Sequence, residues 1–509
     1  MVILGLLMVA GLGFRLRGTD VRMMDHDEAF SWRVATRPFW TMVDQVAGDT
    51  HPLLHFLVLK GVLRAGWTSV LALRLPSIAV GVATIWVVHG LSLAAIRYAG
   101  RRDALSDRRA GWAALAAAAY VTIHPYHIAV SGTARMYSFA TGFAALSSWL
   151  LIEALAKQPP SRRLYVGYAV VVALMLHSHN FGVFVFAAQV GFALLEAWLH
   201  RPAAARLRYL AGAVVLAGLL YAPWIPAFLA QAKRVHDGFW IPPLTGETFG
   251  EILVNVAFGR DIVDRPTGVV LVCLVLIGLG WAVARLGGAR PWILPAQVVA
   301  VWVMAVLIST IGGRPILQER YLVLALPAFT GWFALALANT RPRSASGLLA
   351  VALLLPTGYA LGQVVAWPWR PPLSTFEAIA YLREVGRRGD VVLVNRPGIV
   401  NTMRYYQGQV PGPDLDVRYV LDPTELRRVG QASHLSSFDP GEAIDADRFD
   451  DLDARRLWVL NNARDLRGSG WIRQGEMTFG TDRGEFMSGL QLICYNRIAA
   501  EAPDRGGPR

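Results

Sequence analysis

The first polar cluster of the chain is Asp25-His26-Asp27-Glu28, which follows a short apolar run and precedes the long apolar runs that fill most of the sequence. Ionisable groups at the edge of an apolar environment are costly to desolvate, so they are uncommon there without a function. A carboxylate in such a place can act as a general base toward a hydroxyl or an amine. The alternative is a solvated acidic loop with no chemical role, and the cluster alone leaves both interpretations open.

Further histidines, arginines and tyrosines recur between the apolar runs. They are His51, His124, His127, Arg135, Tyr137, His177, His179, Arg320 and Tyr321. Arg offers a bidentate fork to an oxyanion, and His and Tyr add single hydrogen bonds, so this set suits a phosphodiester at membrane depth. A divalent metal is also possible, with Asp25, Asp27 and His179 as candidate ligands, but their spacing is not diagnostic of a metal site.

The composition is typical of a membrane protein. Of the 509 residues, 54% are hydrophobic and only 17% are charged, whereas about 25% are charged in soluble domains. The net charge is +13, but the basic residues lie in short clusters between apolar runs and form no basic face, which argues against nucleic acid as a partner. Cys273 and Cys494 are too few and too differently placed to indicate a disulfide framework or a thiolate metal site.

The Arg clusters predict how the chain crosses the membrane. If residues 51–67 lie at the interface and do not span, every Arg-rich loop falls on the cytoplasmic side, as the positive-inside rule requires. Residues 29–47 then form another interfacial helix, and the polar motifs all lie at the extracytoplasmic ends. The eleven predicted spans are residues 1–14, 75–96, 110–123, 133–156, 164–177, 181–199, 209–229, 267–285, 292–311, 320–339 and 345–367.

The composition changes after Trp369. Residues 371–509 are soluble in character, with a helix predicted over 375–388 and β-like runs at 391–394, 417–420 and 457–460. We therefore expect a transmembrane domain over residues 1–370 and an extracytoplasmic α/β domain over residues 371–509. The predicted fold is an α-helical polytopic membrane protein with about eleven transmembrane helices, two interfacial helices in the first external loop, and a small C-terminal α/β domain.

The order of the motifs resembles the polytopic GT-C glycosyltransferases, in particular the bacterial branch related to protein O-mannosyltransferases and to the aminoarabinose transferase of lipid A. The residues that carry the resemblance are Asp27-Glu28, His51-Pro52-Leu53-Leu54, Arg74-Leu75-Pro76-Ser77, Ser131 through Tyr137, His177 through Gly182, and Glu319-Arg320-Tyr321-Leu322. The resemblance covers residues 1–367. One departure is Leu53, which stands where the family usually has a second proline.

The resemblance implies an inverting glycosyltransferase that moves a sugar from a polyprenyl phosphate to an acceptor on the extracytoplasmic face. Asp27 would be the catalytic carboxylate that takes the proton of the acceptor, with Glu28 in support. His51 would meet the donor phosphate. The residues that would line the same cavity are Arg135, Tyr137, His179, Arg320 and Tyr321.

The expected partners are the lipid-linked donor, membrane lipid, and an acceptor that is a protein, a glycolipid or a polysaccharide. The expected location is a bacterial inner membrane, with the N-terminus in the cytoplasm. A transporter or flippase of a lipid-linked sugar or another amphipathic lipid is the alternative, since it would also bury cations among its helices. The polar residues lie at one face and not at the midplane, which favours the enzyme.

Overall fold

The computed structural model describes residues 1–19, 22–100, 104–200, 204–237, 241–259, 265–366, 373–394, 397–421, 443–445, 451–460, 471–479 and 490–497. The chain divides into two compact units, each described by itself. The membrane unit comprises Met1–Val21 and Pro38–Trp369. The C-terminal unit comprises Arg370–Arg509 together with Arg22–Arg37, a segment that the sequence analysis assigned to the transmembrane domain.

The described α-helices are numbered in chain order. They are α1 (Val2–Leu16), α2 (His26–Thr36), α3 (Phe39–Gly48), α4 (Leu54–Arg64), α5 (Val70–Tyr98), α6 (Ala104–Ile123), α7 (Pro125–Ser131), α8 (Tyr137–Ala156), α9 (Arg162–Ser178), α10 (Gly182–His200), α11 (Ala204–Tyr221), α12 (Ile225–Asp237), α13 (Gly246–Phe258), α14 (Arg265–Ala284), α15 (Ile293–Thr310), α16 (Glu319–Leu322), α17 (Leu326–Asn339), α18 (Arg343–Ala366), α19 (Leu373–Val385) and α20 (Pro397–Gln407). Helices α2, α19 and α20 belong to the C-terminal unit.

The membrane unit contains the predicted apolar spans. Within the described residues, eight helical segments are long and apolar enough to cross a membrane, and nine if α6 and α7, which are bent by 59°, form one span. The polytopic helical fold is therefore confirmed. The predicted spans 1–14 and 164–177 correspond to α1 and α9, of 15 and 17 residues. Both are shorter than the roughly 20 residues that cross a bilayer, so the count of eleven stays a prediction.

The first external loop differs from the sequence prediction in one respect. A single amphipathic helix over residues 29–47 is wrong, because the structure has two helices there, α2 and α3. Arg37 ends α2 in an extended conformation, with ψ at 158°. Proline disfavours the helical conformation of the residue before it, and Pro38 accounts for the break. Helix α4 has 11 residues, which is too short to span a membrane.

Helices α5 and α8 pack closely against each other. A Cβ atom at Gly90 of α5 would lie 2.5 Å from Trp149 of α8, and one at Gly142 of α8 would lie 2.9 Å from Val80 of α5. Small residues at such positions let two membrane helices approach closely. The two glycines thus allow α5 to approach α8, the helix that begins at the end of the polar motif at residues 131–137.

The C-terminal unit is built on a mixed sheet. Its strands are β1 (Val391–Val394), β2 (Asp416–Leu421), β3 (Ala443–Asp445), β4 (Arg456–Leu460), β5 (Trp471–Phe479) and β6 (Leu490–Arg497), in the order β3-β2-β1-β4-β6-β5. Strands β3, β2, β1 and β4 are parallel, and β6 is antiparallel to both β4 and β5. All three predicted β-like runs are strands, and the α/β fold predicted for this region is confirmed.

An ion pair joins the start of β1 to β4. Asp390 is buried and accepts hydrogen bonds from Arg456 Nε at 3.0 Å and from Trp458 Nε1 at 2.9 Å. Burial alone would raise the pKa of Asp390, but the hydrogen bonds from Arg456 and Trp458 outweigh it and hold the pKa below its ordinary value.

Lowering the pH is expected to destabilise the C-terminal unit through Asp390. Because the folded pKa is depressed, the pair stabilises the fold above about pH 4, and this stabilisation is lost as the pH falls through the folded pKa. Asp390→Asn should lower the free energy of unfolding by about 3–5 kcal/mol at neutral pH and should flatten its dependence on pH between about 5 and 3. Unfolding of the full-length protein in detergent at several pH values measures both effects.

The matched control is Asp416→Asn, which removes the partly exposed pair between Asp416 and Arg418. Surface pairs contribute about 1 kcal/mol or less. Equal losses in the Asp390 and Asp416 variants would contradict the role of the buried pair.

Candidate active site

His179 lies at the centre of a group of rings in the membrane unit. It follows α9 and is 3% exposed. Its ring centroid is 5.9 Å from that of His51, 5.7 Å from Tyr137 and 5.0 Å from Tyr321. We call these four residues the His179 cluster. The structure thus brings together four of the residues that the sequence analysis assigned to the donor phosphate.

A hydrogen bond to the His179 ring indicates which of its two nitrogens carries the proton. Its Nδ1 accepts a hydrogen bond from the backbone N–H of Phe181 at 3.1 Å. A ring nitrogen that accepts carries no proton, so the imidazole is neutral and its proton is on Nε2. In the part of the chain that the structure describes, Nε2 has no hydrogen-bond partner. A buried donor of this kind is the place where a ligand oxygen is expected.

Arg135 supplies positive charge beside the cluster. It lies on the turn between α7 and α8, is 4% exposed, and is close enough to His179 to act on it electrostatically. Two side chains hold this turn: Ser77 donates to the carbonyl oxygen of Arg135 at 2.9 Å, and His55 Nε2 donates to that of Ala134 at 2.8 Å. A guanidinium next to neutral N–H and O–H donors suits a phosphate.

Arg320 lies on a different face of its helix from Tyr321, which belongs to the His179 cluster. It is half-buried on α16, immediately before Tyr321. Consecutive helical residues point about 100° apart, so Arg320 does not share the face of Tyr321. Its predicted contact with the phosphate stays a prediction.

Side-chain amides hold the backbone that carries His51. Gln231 of α12 donates Nε2 hydrogen bonds to the carbonyl oxygens of Val46 and His51, both at 3.0 Å. Asn180, the residue after His179, donates to the carbonyl oxygen of Thr50 at 3.0 Å. Gln231 is fully buried, and its Oε1 accepts from Asn180 at 3.1 Å. The two amides therefore couple the positions of His51 and His179.

Gln231 was not identified from the sequence, and Asn180 was named only as part of the motif at residues 177–182. Arg234 of α12 acts in the same way as Gln231, since it donates to the carbonyl oxygens of Ala47 and Asp49. The available signal was a pair of polar residues, Gln231 and Arg234, one helical turn apart and directly after an apolar run. Polar residues at this depth of a bundle generally face its interior.

The other histidines noted in the sequence are used to hold helices. His124 caps α7 by accepting from His127 N–H at 3.2 Å, and its Nε2 donates to the carbonyl oxygen of Val256. His127 Nδ1 lies 2.6 Å from the guanidinium of Arg15. His177 Nε2 lies 3.3 Å from the carbonyl oxygen of Leu220. None of these three rings is within the His179 cluster.

The carboxylates of the first polar cluster lie at the start of α2, in the C-terminal unit. Asp25 is the N-cap, and its Oδ1 accepts from Glu28 N–H at 2.8 Å. In return, Glu28 Oε2 accepts from Asp25 N–H at 3.1 Å. This reciprocal pair is a capping box, which satisfies two of the free N–H groups at a helix start. Asp25, whose role the sequence left open, therefore stabilises the helix that carries Asp27.

Asp27 is the carboxylate that the capping box does not use. Its side chain is 25% exposed, and its Oδ1 lies 3.7 Å from His26 Nε2. Glu28, by contrast, is 1% exposed. Burial raises the pKa of Asp25, and the nearby Glu28 and Asp27 raise it further. Of the three carboxylates, Asp27 is therefore the one that is partly exposed and lies outside the capping box.

A metal site is not evident in the described part of the chain. No group of three or more His, Cys, Asp or Glu side chains within it could hold a metal ion. Among the three candidate ligands, Asp25 and Asp27 lie in the C-terminal unit and His179 lies in the membrane unit.

Known structures share the architecture of this chain. It superposes on the crystal structure of ArnT, the lipid A aminoarabinose transferase, from Cupriavidus metallidurans bound to undecaprenyl phosphate. The TM-score is 0.61 at 13% sequence identity, over 99% of each chain. The chain has the GT-C fold. The resemblance predicted from the order of its motifs is confirmed at this level.

Two further structures extend the GT-C comparison. The archaeal oligosaccharyltransferase AglB from Archaeoglobus fulgidus, in complex with an inhibitory peptide and a dolichol-phosphate, gives a TM-score of 0.55 at 11% identity over 90% of this chain and 69% of AglB. The arabinofuranosyltransferase AftD from Mycobacteria gives 0.51 at 16% identity over 98% of this chain and 42% of AftD. No protein-family model matches the sequence, and comparison with curated proteins gives no significant match.

Proposed function

We propose that this chain is an inverting glycosyltransferase that moves a sugar from a polyprenyl phosphate to an acceptor on the extracytoplasmic face of the membrane. The observation that carries the proposal is the buried Nε2–H of His179, which has no protein partner among the described residues and is surrounded by His51, Tyr137 and Tyr321. The ArnT and AglB structures, which share the fold, were solved with undecaprenyl phosphate and dolichol-phosphate respectively, and this supports a lipid-linked donor.

The His179 cluster would bind the phosphate of the donor. When the bond between the anomeric carbon and the phosphate oxygen breaks, both electrons stay with the phosphate and its negative charge increases. Donors aimed at those oxygens stabilise the transition state more than the ground state. The Nε2–H of His179 and the guanidinium of Arg135 would supply this stabilisation in a largely dehydrated place, where electrostatic interactions are strong.

Asp27 would act on the acceptor. Its carboxylate removes the proton from a hydroxyl or amine of the acceptor as that group attacks the anomeric carbon on the face opposite the phosphate. A single displacement of this kind inverts the configuration of the sugar. The proton then resides on Asp27, whose partial exposure lets it return to water. Glu28 would support the base by holding the start of its helix.

Purified protein in lipid nanodiscs, supplied with an undecaprenyl-phosphate-linked sugar and extracts of candidate acceptors, tests the proposal. We expect undecaprenyl phosphate to be released together with a glycosylated acceptor, both detected by mass spectrometry. Glycolipids and glycans of cells with and without the gene would identify the acceptor as a protein, a glycolipid or a polysaccharide. Movement of the intact donor across a bilayer with no covalent product would overturn the proposal in favour of a flippase.

A further inference from the structure

The helix that carries Asp27 is anchored within the C-terminal unit. Helix α2 packs against α20 of that unit. The backbone N–H of Met24, the residue before the N-cap, donates to Tyr406 Oη at 2.8 Å. Toward the other end of α2, the ring of Trp32 meets the ring of Tyr405 edge-on, with 5.2 Å between centroids. Two adjacent tyrosines of α20 thus hold α2 on both sides of its first turn.

The contact is buried and specific. Met24 is 2% exposed, Tyr405 3% and Tyr406 8%. The Met24 N–H precedes the capping box, so it is one that α2 itself cannot satisfy. If the hydroxyl of Tyr406 were removed, this N–H would be left buried without its partner, and the start of α2 would have to shift to solvate it. Asp27 lies on that first turn.

We propose that Tyr406, with Tyr405, is a positioning residue for Asp27. The inference rests on the proposed role of Asp27 as the base. The base must be within hydrogen-bond reach of the proton that it removes. A misplacement of about 1 Å can lower a rate by as much as about 100-fold. Tyr406 therefore acts on the chemical step through the placement of α2, without touching the substrate.

The experiment compares Tyr406→Phe with Gln407→Met in the full-length protein. Tyr406→Phe removes the hydroxyl that accepts the hydrogen bond from the Met24 N–H. Gln407→Met is on the same helix and removes a hydrogen bond that does not involve α2, from Gln407 Nε2 to the carbonyl oxygen of Leu415 at 3.1 Å. We expect Tyr406→Phe to lower kcat by about tenfold with little change in KM for the lipid donor, and amide exchange over residues 22–31 to become faster. Gln407→Met should change neither kcat nor the amide exchange of residues 22–31.

A second pair of variants tests the ring contact. Tyr405→Phe keeps the ring that meets Trp32, and Tyr405→Ala removes it. We expect kcat to fall further in the alanine variant, again without a matching change in KM. Unfolded protein would also lower the apparent kcat without changing KM, so every rate is divided by the concentration of folded protein, measured by size-exclusion chromatography in detergent.

Two results would overturn the inference. One is an unchanged kcat and unchanged amide exchange at Met24 in Tyr406→Phe. The other is an equal loss of activity in Tyr406→Phe and Gln407→Met. Either result, together with an inactive Asp27→Asn, removes the positioning role while the proposed function stands. An active Asp27→Asn would instead show that Asp27 is not the base, and the inference would fall with that assignment, whereas absence of sugar transfer by the wild-type protein would remove the proposed function itself.

Discussion

Replacing Asp27 with asparagine is expected to lower kcat for sugar transfer by about 10²- to 10⁴-fold, the usual contribution of a general base. Asparagine has nearly the same shape as aspartate but cannot accept the proton. The capping box that begins α2 uses Asp25 and Glu28 and leaves out Asp27, so the substitution should leave the helix intact. Single-turnover transfer from a saturating lipid-linked donor measures the chemical step, and binding of the donor should be unchanged.

Variants of the neighbouring carboxylates separate chemistry from helix capping. Asparagine is as good an N-cap as aspartate, so Asp25→Asn should keep the helix start and most of the activity. Glutamine can replace glutamate in a capping box, and Glu28→Gln should therefore retain more activity than Glu28→Ala. If Asp25→Asn were inactive while Asp27→Asn transferred sugar normally, the base would be Asp25 and the assignment would be wrong.

Replacing His179 with phenylalanine is expected to lower kcat/KM for the lipid donor by about 10- to 150-fold. A hydrogen bond to a charged group contributes about 1.5–3 kcal/mol, which corresponds to that range of rate or affinity. Phenylalanine keeps a ring next to Tyr137 and Tyr321 but has no Nε2–H to give to the phosphate. His179→Gln, which restores an N–H donor, should recover part of the loss.

The matched control for His179 is His177→Phe. His177 is two residues away, and its ring lies 5.0 Å from that of Tyr221, outside the His179 cluster. We expect this variant to bind donor normally. Binding of polyprenyl phosphate without a sugar, measured for both variants, shows whether the phosphate is the group recognised. Equal affinities for wild type and His179→Phe would rule out a contact between His179 and the phosphate.

Much of the fold followed from the sequence because apolar runs and Arg clusters are local signals. The break between α2 and α3 also had a local signal in Pro38, since proline restricts the residue before it. The attachment of α2 to the C-terminal unit had no local signal in the sequence. Met24 and Tyr406 are 382 positions apart, and neither the composition nor the periodicity of either segment indicates its partner.

Like the fold, the candidate site could be predicted in part from the sequence. The ordered motifs pointed to His51, His179 and Tyr321 because a known family carries similar residues in that order. Gln231 and the positioning role of Asn180, which lies within the His177–Gly182 motif, were missed because each is a single polar residue whose partners are main-chain carbonyls. Any residue type offers such a carbonyl, so no complementary pattern appears in the sequence.

Because these side chains bind main-chain carbonyl oxygens, the contacts do not depend directly on the side chains of the residues that they hold. Gln231, Asn180 and Arg234 all bind carbonyl oxygens of residues 46–51. These carbonyl contacts therefore help to fix the path of the backbone into His51, together with the buried side chains of Val46 and Asp49. A substitution at the half-buried Ala47 or Thr50 leaves its own main-chain carbonyl in place, so we expect it to keep the contact with Arg234 or Asn180 and the position of His51.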